Sequence, residues 1–199
     1  MQEIEYHILS VGNAMYSKKL MPLAGATGSP TITLIISGGK NLLVDPGYGP
    51  YEDVGLNAHE EAKKLKENLT KILGKRDVDS IFITHPHTDH CNLAGFFSAP
   101  TVECGCREVL SGVMSFATLG HYFKHYSLEF KTKEGVIAVA GDAVINKDYF
   151  CSKDPWERIY RANLYGVEDM KLTNKTMDNI KRRADYIIPG QGDKFKVKK

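Results

Sequence analysis

The stretch Thr84-His85-Pro86-His87-Thr88-Asp89-His90 places three imidazoles and one carboxylate within six consecutive positions. Imidazole and carboxylate groups are the ligands that hold zinc, iron or manganese in proteins. Clustered histidines are costly to bury unless something binds them. A polar surface loop with incidental histidines is the alternative interpretation, but the pattern favours a metal site.

The residues around this motif predict where it lies in the fold. Ser80 to Thr84 is a short apolar run that is typical of a buried strand. Pro86 follows inside the motif, and proline is rare within central strands. The histidines are therefore expected on the loop that leaves the C-terminal end of the strand, where a rigid sheet positions functional groups.

The composition limits the class of protein. A chain of 199 residues with 42% hydrophobic residues predicts one domain over residues 1–199 with an ordinary core. A net charge of +2 gives no strong field toward nucleic acid, which argues against a nucleic-acid partner. Because neither a signal peptide nor a membrane span is visible, the prediction is a cytoplasmic protein that does not associate with a membrane. Of the four cysteines, Cys104 and Cys106 leave a soft-metal or redox pair open, with buried structural thiols favoured.

The hydrophobic pattern predicts the order strands, helix, strands, helices, strand, with a further short helix after the histidine motif. Strands are predicted at Glu3–Leu9, Thr31–Ile36, Asn41–Val44, Ser80–Thr84, Thr101–Val102, Val113–Phe116, Tyr126–Phe130, Val136–Ala140 and Asp185–Ile188. Helices are predicted at Ala58–Leu73, Leu93–Phe97, Pro155–Tyr165 and Thr173–Ala184. This order fits a sandwich of mixed sheets with helices outside.

Further ligands are expected at other strand ends, because the ligands of one ion must converge in space. His121 follows a short β-like stretch, Asp142 closes a strongly apolar strand, and Gln191 follows the last strand.

Taken together, five motifs resemble those of the metallo-β-lactamase superfamily. Residues 85–90 match the family's HxHxDH motif in full, and Asp45-Pro46-Gly47 resembles its early Asp-x-Gly turn. Residues 120–128 are similar to its Gly-His-Thr-Pro-Gly-His-x-Ser-Leu segment, and Gly141-Asp142 resembles its metal-bridging Gly-Asp. Residues 189–192, Pro-Gly-Gln-Gly, resemble its Pro-Gly-His-Gly. The resemblance runs from about residue 4 to residue 193, with the motifs in the family's order.

The resemblance implies an α/β (α+β) fold, a four-layer αβ/βα sandwich with metals at one edge. His85, His87 and His121 would hold a first metal ion. Asp89, His90 and Gln191 would hold a second, and Asp142 would bridge the two. The expected cofactor is zinc, as one or two ions, with iron or manganese as alternatives. The resemblance leaves His125 as a supporting or core histidine.

Two departures from the family pattern carry their own expectations. Gln191 stands where the family has histidine, and an amide oxygen is a poorer ligand, so the second site should be the weaker one. Tyr122-Phe123-Lys124 replaces Thr-Pro-Gly, which makes Tyr122 and Lys124 candidate substrate contacts. A locally repacked loop is the alternative for this segment.

The expected activity is hydrolysis of a small ester, thioester or lactone. A bound metal would lower the pKa of water from about 16 to near 7 and provide hydroxide as the nucleophile. Asp89 is the candidate catalytic residue, orienting the water and passing a proton to the leaving group. The alternatives are a small metal-dependent nuclease acting on RNA, a degenerate metal- or ligand-binding module without turnover, and a redox variant with one iron. The expected partner is a small-molecule substrate, and the oligomeric state stays open.

Overall fold

The computed structural model describes residues 3–15, 27–49, 54–75, 77–102, 105–164 and 166–198. The strands are β1 (Glu5–Ser10), β2 (Asn13–Met15), β3 (Thr27–Ser29), β4 (Ile32–Ser37), β5 (Lys40–Val44), β6 (Ser80–Phe82), β7 (Glu108–Leu110), β8 (Val113–Ala117), β9 (Tyr126–Thr132), β10 (Gly135–Gly141), β11 (Tyr186–Pro189) and β12 (Phe195–Lys196). The helices are α1 (Val54–Leu73), α2 (Thr88–Cys91), α3 (Lys147–Cys151), α4 (Pro155–Leu164) and α5 (Met170–Arg183). Short 3₁₀ turns lie at Ala94–Phe96 and Asp142–Val144.

Two mixed sheets form the centre of the molecule. The first has the strand order β1-β4-β5-β6, and the second has the order β12-β11-β10-β9-β8-β7. Each sheet contains one parallel pair, β5 with β6 and β10 with β11, while its other pairs are antiparallel. The hairpin of β2 and β3 stands outside both sheets.

The alternation of side chains along β4 and β5 explains how the layers stack. Ile35 and Val44 point inward and join a buried cluster with residues of the second sheet. Their chain neighbours Leu34 and Leu43 point outward and pack with α1. Burial of both faces gives these strands continuous apolar runs rather than clean alternation.

The second sheet is covered on its outer face in the same way. Ala138, Ile187 and other residues of this sheet share a buried cluster with residues of α3, α4 and α5. The layers are therefore α1, the first sheet, the second sheet and the group α3 to α5. This arrangement confirms the predicted four-layer αβ/βα sandwich.

Several predicted boundaries were wrong for local reasons. The helix predicted from Thr173 begins at Met170, because the Asp169 carboxylate accepts the Leu172 N–H at 2.9 Å and caps the first turn. The strand predicted at Thr101–Val102 is only an isolated bridge between Thr101 and Ile81. The short elements α2, α3, β7 and β12 were not predicted, since two to five residues are too few to show a period.

The cysteines do not follow the predicted pattern. Cys106 is exposed, so the expectation that it is a buried structural thiol was wrong, while Cys104 lies outside the described residues. Cys151 is also exposed, and Cys91 is half-buried.

No helix within the described ranges combines the length and apolar character that crossing a bilayer requires.

Candidate metal centre

Five strands of the two sheets deliver polar residues to one edge of the sandwich. Asp45 follows β5, the histidine motif follows β6, His121 follows β8, Asp142 follows β10 and Gln191 follows β11. Parallel strands end at the same edge, and β8 runs in the direction of β10 because both pair antiparallel with β9. The topology therefore brings together residues that are up to 146 positions apart, from Asp45 to Gln191.

His85, His87 and His121 form a triad of converging ring nitrogens. His87 Nδ1 lies 2.9 Å from His85 Nε2 and 3.0 Å from His121 Nε2. A neutral imidazole nitrogen has either one proton or one lone pair, so His87 Nδ1 cannot fully satisfy both neighbours. Three such nitrogens facing one point match the three protein ligands that a catalytic zinc site uses, with a fourth position left for water or substrate.

A second group lies directly behind the triad. His90 Nε2 is 3.3 Å from Asp142 Oδ1 and 3.6 Å from Asp89 Oδ2. Gln191 Nε2 is 3.1 Å from Asp142 Oδ2 and 3.5 Å from Asp89 Oδ2. The ligand atoms of His85, His90 and Asp142 lie within 4.8 Å of one another, as do those of the triad. The structure thus places all seven predicted metal ligands in one cluster.

Unsatisfied polar atoms show that this cluster suits a cation. Within the described part of the chain, four buried atoms of the cluster make no hydrogen bond. Two of them, His90 Nε2 and Asp142 Oδ1, face the centre, while His121 Nδ1 and Gln191 Oε1 lie on the far ends of their side chains. Each unsatisfied buried group costs about 1–3 kcal/mol. Buried nitrogens and carboxylate oxygens in this arrangement are the donor set of a zinc, iron or manganese site, so the residues present fit such an ion.

Asp45 orients two of the histidines, although the sequence analysis gave it no role in the site. Its Oδ1 accepts the Thr84 N–H at 2.7 Å, and its Oδ2 accepts the Thr84 hydroxyl at 2.7 Å and contacts His90 Nδ1 at 2.9 Å. Because the Thr84 hydroxyl donates to Asp45, it accepts from His85 Nδ1, 3.0 Å away. Both rings then have their proton on Nδ1 and turn Nε2 toward the centre, which is how supporting carboxylates fix metal-binding histidines.

Asp45 has an unusual backbone conformation. Asp45 has φ 49°, and it is the one non-glycine residue of the described ranges with positive φ. Such a conformation costs about 1–3 kcal/mol and persists only where the surroundings enforce it. The Asp45-Pro46-Gly47 signal was visible in the sequence as the end of a strand, but a turn motif alone does not reveal which side chains its carboxylate meets.

His125 lies next to the cluster but uses both of its nitrogens elsewhere. Its Nδ1 is 2.8 Å from the Thr118 hydroxyl, and its Nε2 accepts the Ala143 N–H at 3.2 Å. The ring stacks on His85 with centroids 4.8 Å apart. His125 is therefore a packing support for His85, in line with its predicted role.

Burial determines the protonation of the triad. It lowers the pKa of His85 and of His87, and it lowers the pKa of His121 to about 4 although the Asp142 carboxylate opposes this shift. These rings stay neutral at neutral pH, so their lone pairs are available to a cation.

The second group behaves differently because its charges compensate one another. Burial would lower the pKa of His90, but Asp142 and Asp45 outweigh it and raise that pKa well above the usual range. Burial would raise the pKa of Asp142, but the neighbouring His90 lowers it. Burial raises the pKa of Asp89 to about 6, with His90 opposing and Asp142 adding to the shift.

Of the two candidate substrate contacts, the structure brings only Tyr122 beside the triad. His87 is only partly buried, whereas His85 and His121 are each 1% exposed. The Tyr122 ring centroid is 5.3 Å from that of His87, and Lys124 is exposed with its Nζ 5.8 Å from the Phe123 ring centroid. On the other side, a cavity of about 520 Å³ reaches Gln191 and is lined by side chains that include Lys147 and Asp193.

Comparison with known proteins agrees with this geometry. Residues 25–119 match the family model described as the metallo-beta-lactamase superfamily, a range that contains Asp45 and the histidine motif. No curated protein sequence matches the chain.

Solved structures share the fold over nearly the whole chain. A metallo-β-lactamase-like protein from Thermotoga maritima is 18% identical with a TM-score of 0.67, and the alignment covers 98% of this chain and 99% of that one. An N-acyl homoserine lactone hydrolase, with N-hexanoyl-L-homoserine at its catalytic metal centre, is 16% identical with a TM-score of 0.60, covering 91% and 88%. The chemotaxis sensor ODP, solved as a peroxy diiron species, is 18% identical with a TM-score of 0.58, covering 94% and 89%. At these identities the likeness concerns the fold.

Proposed function

We propose that this chain, which belongs to the metallo-β-lactamase superfamily, is a metal-dependent hydrolase acting on a small ester, thioester or lactone. The observation that carries the proposal is the convergence of His85 Nε2, His87 Nδ1 and His121 Nε2, with the two outer nitrogens within 3.0 Å of the central one. A zinc, iron or manganese ion bound there would supply a Lewis acid and an acidified water near neutral pH.

In this proposal, the protein groups around the triad have separate roles in orienting a ligand, transferring a proton and contacting the substrate. Asp45 and Thr84 hold His85 in the orientation that presents Nε2. The Asp89 carboxylate, with a pKa of about 6, can hold a water molecule and carry a proton to the departing alkoxide or thiolate. Tyr122, whose ring lies beside that of His87, would contact the substrate.

The shape and charge of the molecule support a small substrate. The cavity of about 520 Å³ falls within the range typical of small-molecule sites, and it reaches the centre at Gln191, on the side away from Tyr122 and without lining residues from the triad. The net charge of +2 provides little long-range attraction for a nucleic acid. A small-molecule partner is therefore part of the proposal.

A hydrolase panel with defined metal content tests the proposal. The purified protein, loaded with zinc, iron or manganese, is assayed on aryl esters, acyl thioesters, lactones and single-stranded RNA. The lactones include N-acyl homoserine lactones, because the similar lactone hydrolase holds such a product at its metal centre. We expect turnover of at least one small substrate that a chelator reduces to the background rate.

Matched histidine variants identify the source of any activity. His87→Ala should remove both metal and turnover, while His59→Ala, an exposed histidine on α1, should change neither. Turnover that persists in metal-free protein would refute the proposal. Cleavage of RNA alone would favour the nuclease alternative, and bound metal without any turnover would favour a non-catalytic module.

A further inference from the structure

We infer that the Gln191 carboxamide takes the place of a second metal ion, so that the protein holds one ion, on His85, His87 and His121. This inference rests on the proposed metal centre and concerns how many ions that centre holds. The superfamily resemblance leaves the number open between one and two.

The position of Gln191 is fixed by its backbone. Its N–H donates to Ile145 O at 2.8 Å, and the preceding Gly190 N–H lies 3.0 Å from both Gly141 O and Val144 O. Gln191 is 7% exposed, and its side chain ends between two carboxylates. The carboxamide is therefore a held part of the site rather than a mobile surface group.

The chemistry of the two carboxylates determines which end of the amide faces them. Gln191 Nε2 lies 3.1 Å from Asp142 Oδ2 and 3.5 Å from Asp89 Oδ2. An amide nitrogen has two protons and can donate one toward each carboxylate. The reversed amide would place Oε1 against two oxygens that can only accept, so the observed orientation is the favourable one.

The opposite end of the amide is enclosed. Gln191 Oε1 lies against Gly28 of the β2–β3 hairpin, where any Cβ would overlap it, and it accepts no hydrogen bond. Glycine at position 28 thus leaves the space that the amide needs. The free-energy cost of this unpaired oxygen is offset at the nitrogen end, which contacts two charged groups. Hydrogen bonds to charged groups are stronger than neutral ones.

A second ion would have to displace these contacts. It would need the space between Asp89, Asp142 and His90 that the Nε2 group now borders. Gln191 would have to turn its amide oxygen toward that ion, and an amide oxygen is a poorer ligand than the imidazole found there in the family. The donor nitrogen already gives each carboxylate a hydrogen-bond contact that a second ion would have to replace. The triad has no such internal donor, and it is where the ion is expected.

Metal stoichiometry tests the inference directly. The metal-free protein is titrated with zinc by calorimetry, and the bound zinc is counted by elemental analysis after gel filtration. Cobalt(II) absorption gives a second readout, since each newly filled site adds visible bands. We expect the wild type to level off at one ion per chain in both measurements.

Gln191→Glu is the informative variant because it is nearly isosteric and replaces the donor nitrogen by an acceptor oxygen. Three carboxylates then face one another, and we expect binding of a second ion with at least about tenfold higher affinity than in the wild type. Gln191→His, which restores the family's residue, should also bind two. Asp193→Asn is the matched control, since Asp193 is an exposed carboxylate lining the same cavity, and it should stay at one ion.

The outcomes separate this inference from the proposed function. Two ions of similar affinity in the wild type would overturn the inference and leave the hydrolase proposal standing. One ion in both the glutamate and histidine variants would also overturn it. A wild-type protein that binds no zinc, iron or manganese would overturn the proposed function itself.

Discussion

The two halves of the candidate metal centre differ in how their polar atoms are satisfied by the protein. The triad of His85, His87 and His121 offers neutral ring nitrogens that face one another at about 3 Å, and His87 Nδ1 cannot fully satisfy both of its neighbours. The other half pairs His90 with Asp142 and places the Gln191 amide against Asp142 and Asp89. The first half offers lone pairs to a cation, while in the second half charged and hydrogen-bonding groups already contact one another, with His90 Nε2 and Asp142 Oδ1 left without a hydrogen bond.

This contrast shows that residues of the same ligand motif can do different work. His85 and His90 are five positions apart and both are oriented through Asp45, yet their ring pKa values shift in opposite directions. Burial acts to lower the pKa of both rings, and the neighbouring imidazoles add to this at His85, whereas two carboxylates outweigh it at His90. The following experiments test whether this division holds.

The largest expected effect is the loss of the triad by His87→Ala. His87 Nδ1 is the central contact of the three ring nitrogens, so we expect metal affinity to fall by more than about 100-fold, the upper end for residues that only support a ligand. His90→Ala should lose less metal affinity, because His90 is not part of the triad and contacts Asp142 and Asp45 instead. Equilibrium dialysis with zinc measures both variants, and equal losses would remove the distinction between the halves.

The next effect is expected in turnover rather than in metal content. Asp89→Asn removes the carboxylate that can move a proton but leaves the triad intact. We expect the rate to fall by about 100-fold or more, the range typical of a general acid or base, while one ion per chain remains bound. The rate on the best panel substrate and the metal content are measured on the same sample. A variant that loses its ion in proportion to its activity would show that Asp89 is a principal ligand.

The Asp45 contacts should couple the two halves. Asp45→Asn disturbs His90 directly and His85 through Thr84, so we expect a 10- to 100-fold loss of metal affinity, as for other groups that orient ligands. Thr84→Val removes only the hydroxyl that links Asp45 to His85. The loss of metal affinity should therefore be smaller, about tenfold. If a zinc titration gave the same loss of affinity for Thr84→Val and Asp45→Asn, the contact between Asp45 and His90 would have no part in metal binding.

The smallest effect concerns pH. Protons compete with the metal for the imidazole lone pairs, and burial lowers the pKa of His121 from the usual 6.5 to about 4. Protonation of the triad therefore begins only well below pH 6.5, and the ion should be retained at pH 6 and released as the pH falls toward 4. Metal content after dialysis across this range checks the expectation, and half-release above pH 6.5 would contradict it.

Long elements and strand-end motifs were predictable because each leaves a periodic or compositional signal. The helix α1 was expected from its apolar stripe, and Ala62, Leu65 and Leu69 are indeed buried. Its start at Val54 was missed by four residues, and Ile72, counted in the stripe, is 36% exposed. A stripe predicts the buried face well, but the ends of a helix depend on caps and on packing that the pattern does not contain.

The site was predictable as a set of residues but not as a set of contacts. His85, His87, Asp89 and His90 share a motif, and the strand-end positions of His121, Asp142 and Gln191 bring them to the same edge. The link from Asp45 through Thr84 to His85 depends on a single backbone angle and on a hydroxyl that serves two partners. The sequence likewise showed an amide at position 191 without showing that its nitrogen meets two carboxylates.

The triad draws His85 and His87 from the end of a strand in the first sheet and His121 from the end of a strand in the second. An ion held by all three histidines would link the first sheet to the second. Unfolding of the protein would then require release of the ion. Binding to the folded state alone raises the free energy of unfolding by about 2.7 kcal/mol when the free ion is at 100 times its Kd. A melting-temperature series over divalent cations would therefore rank the metals by preference before any substrate is known.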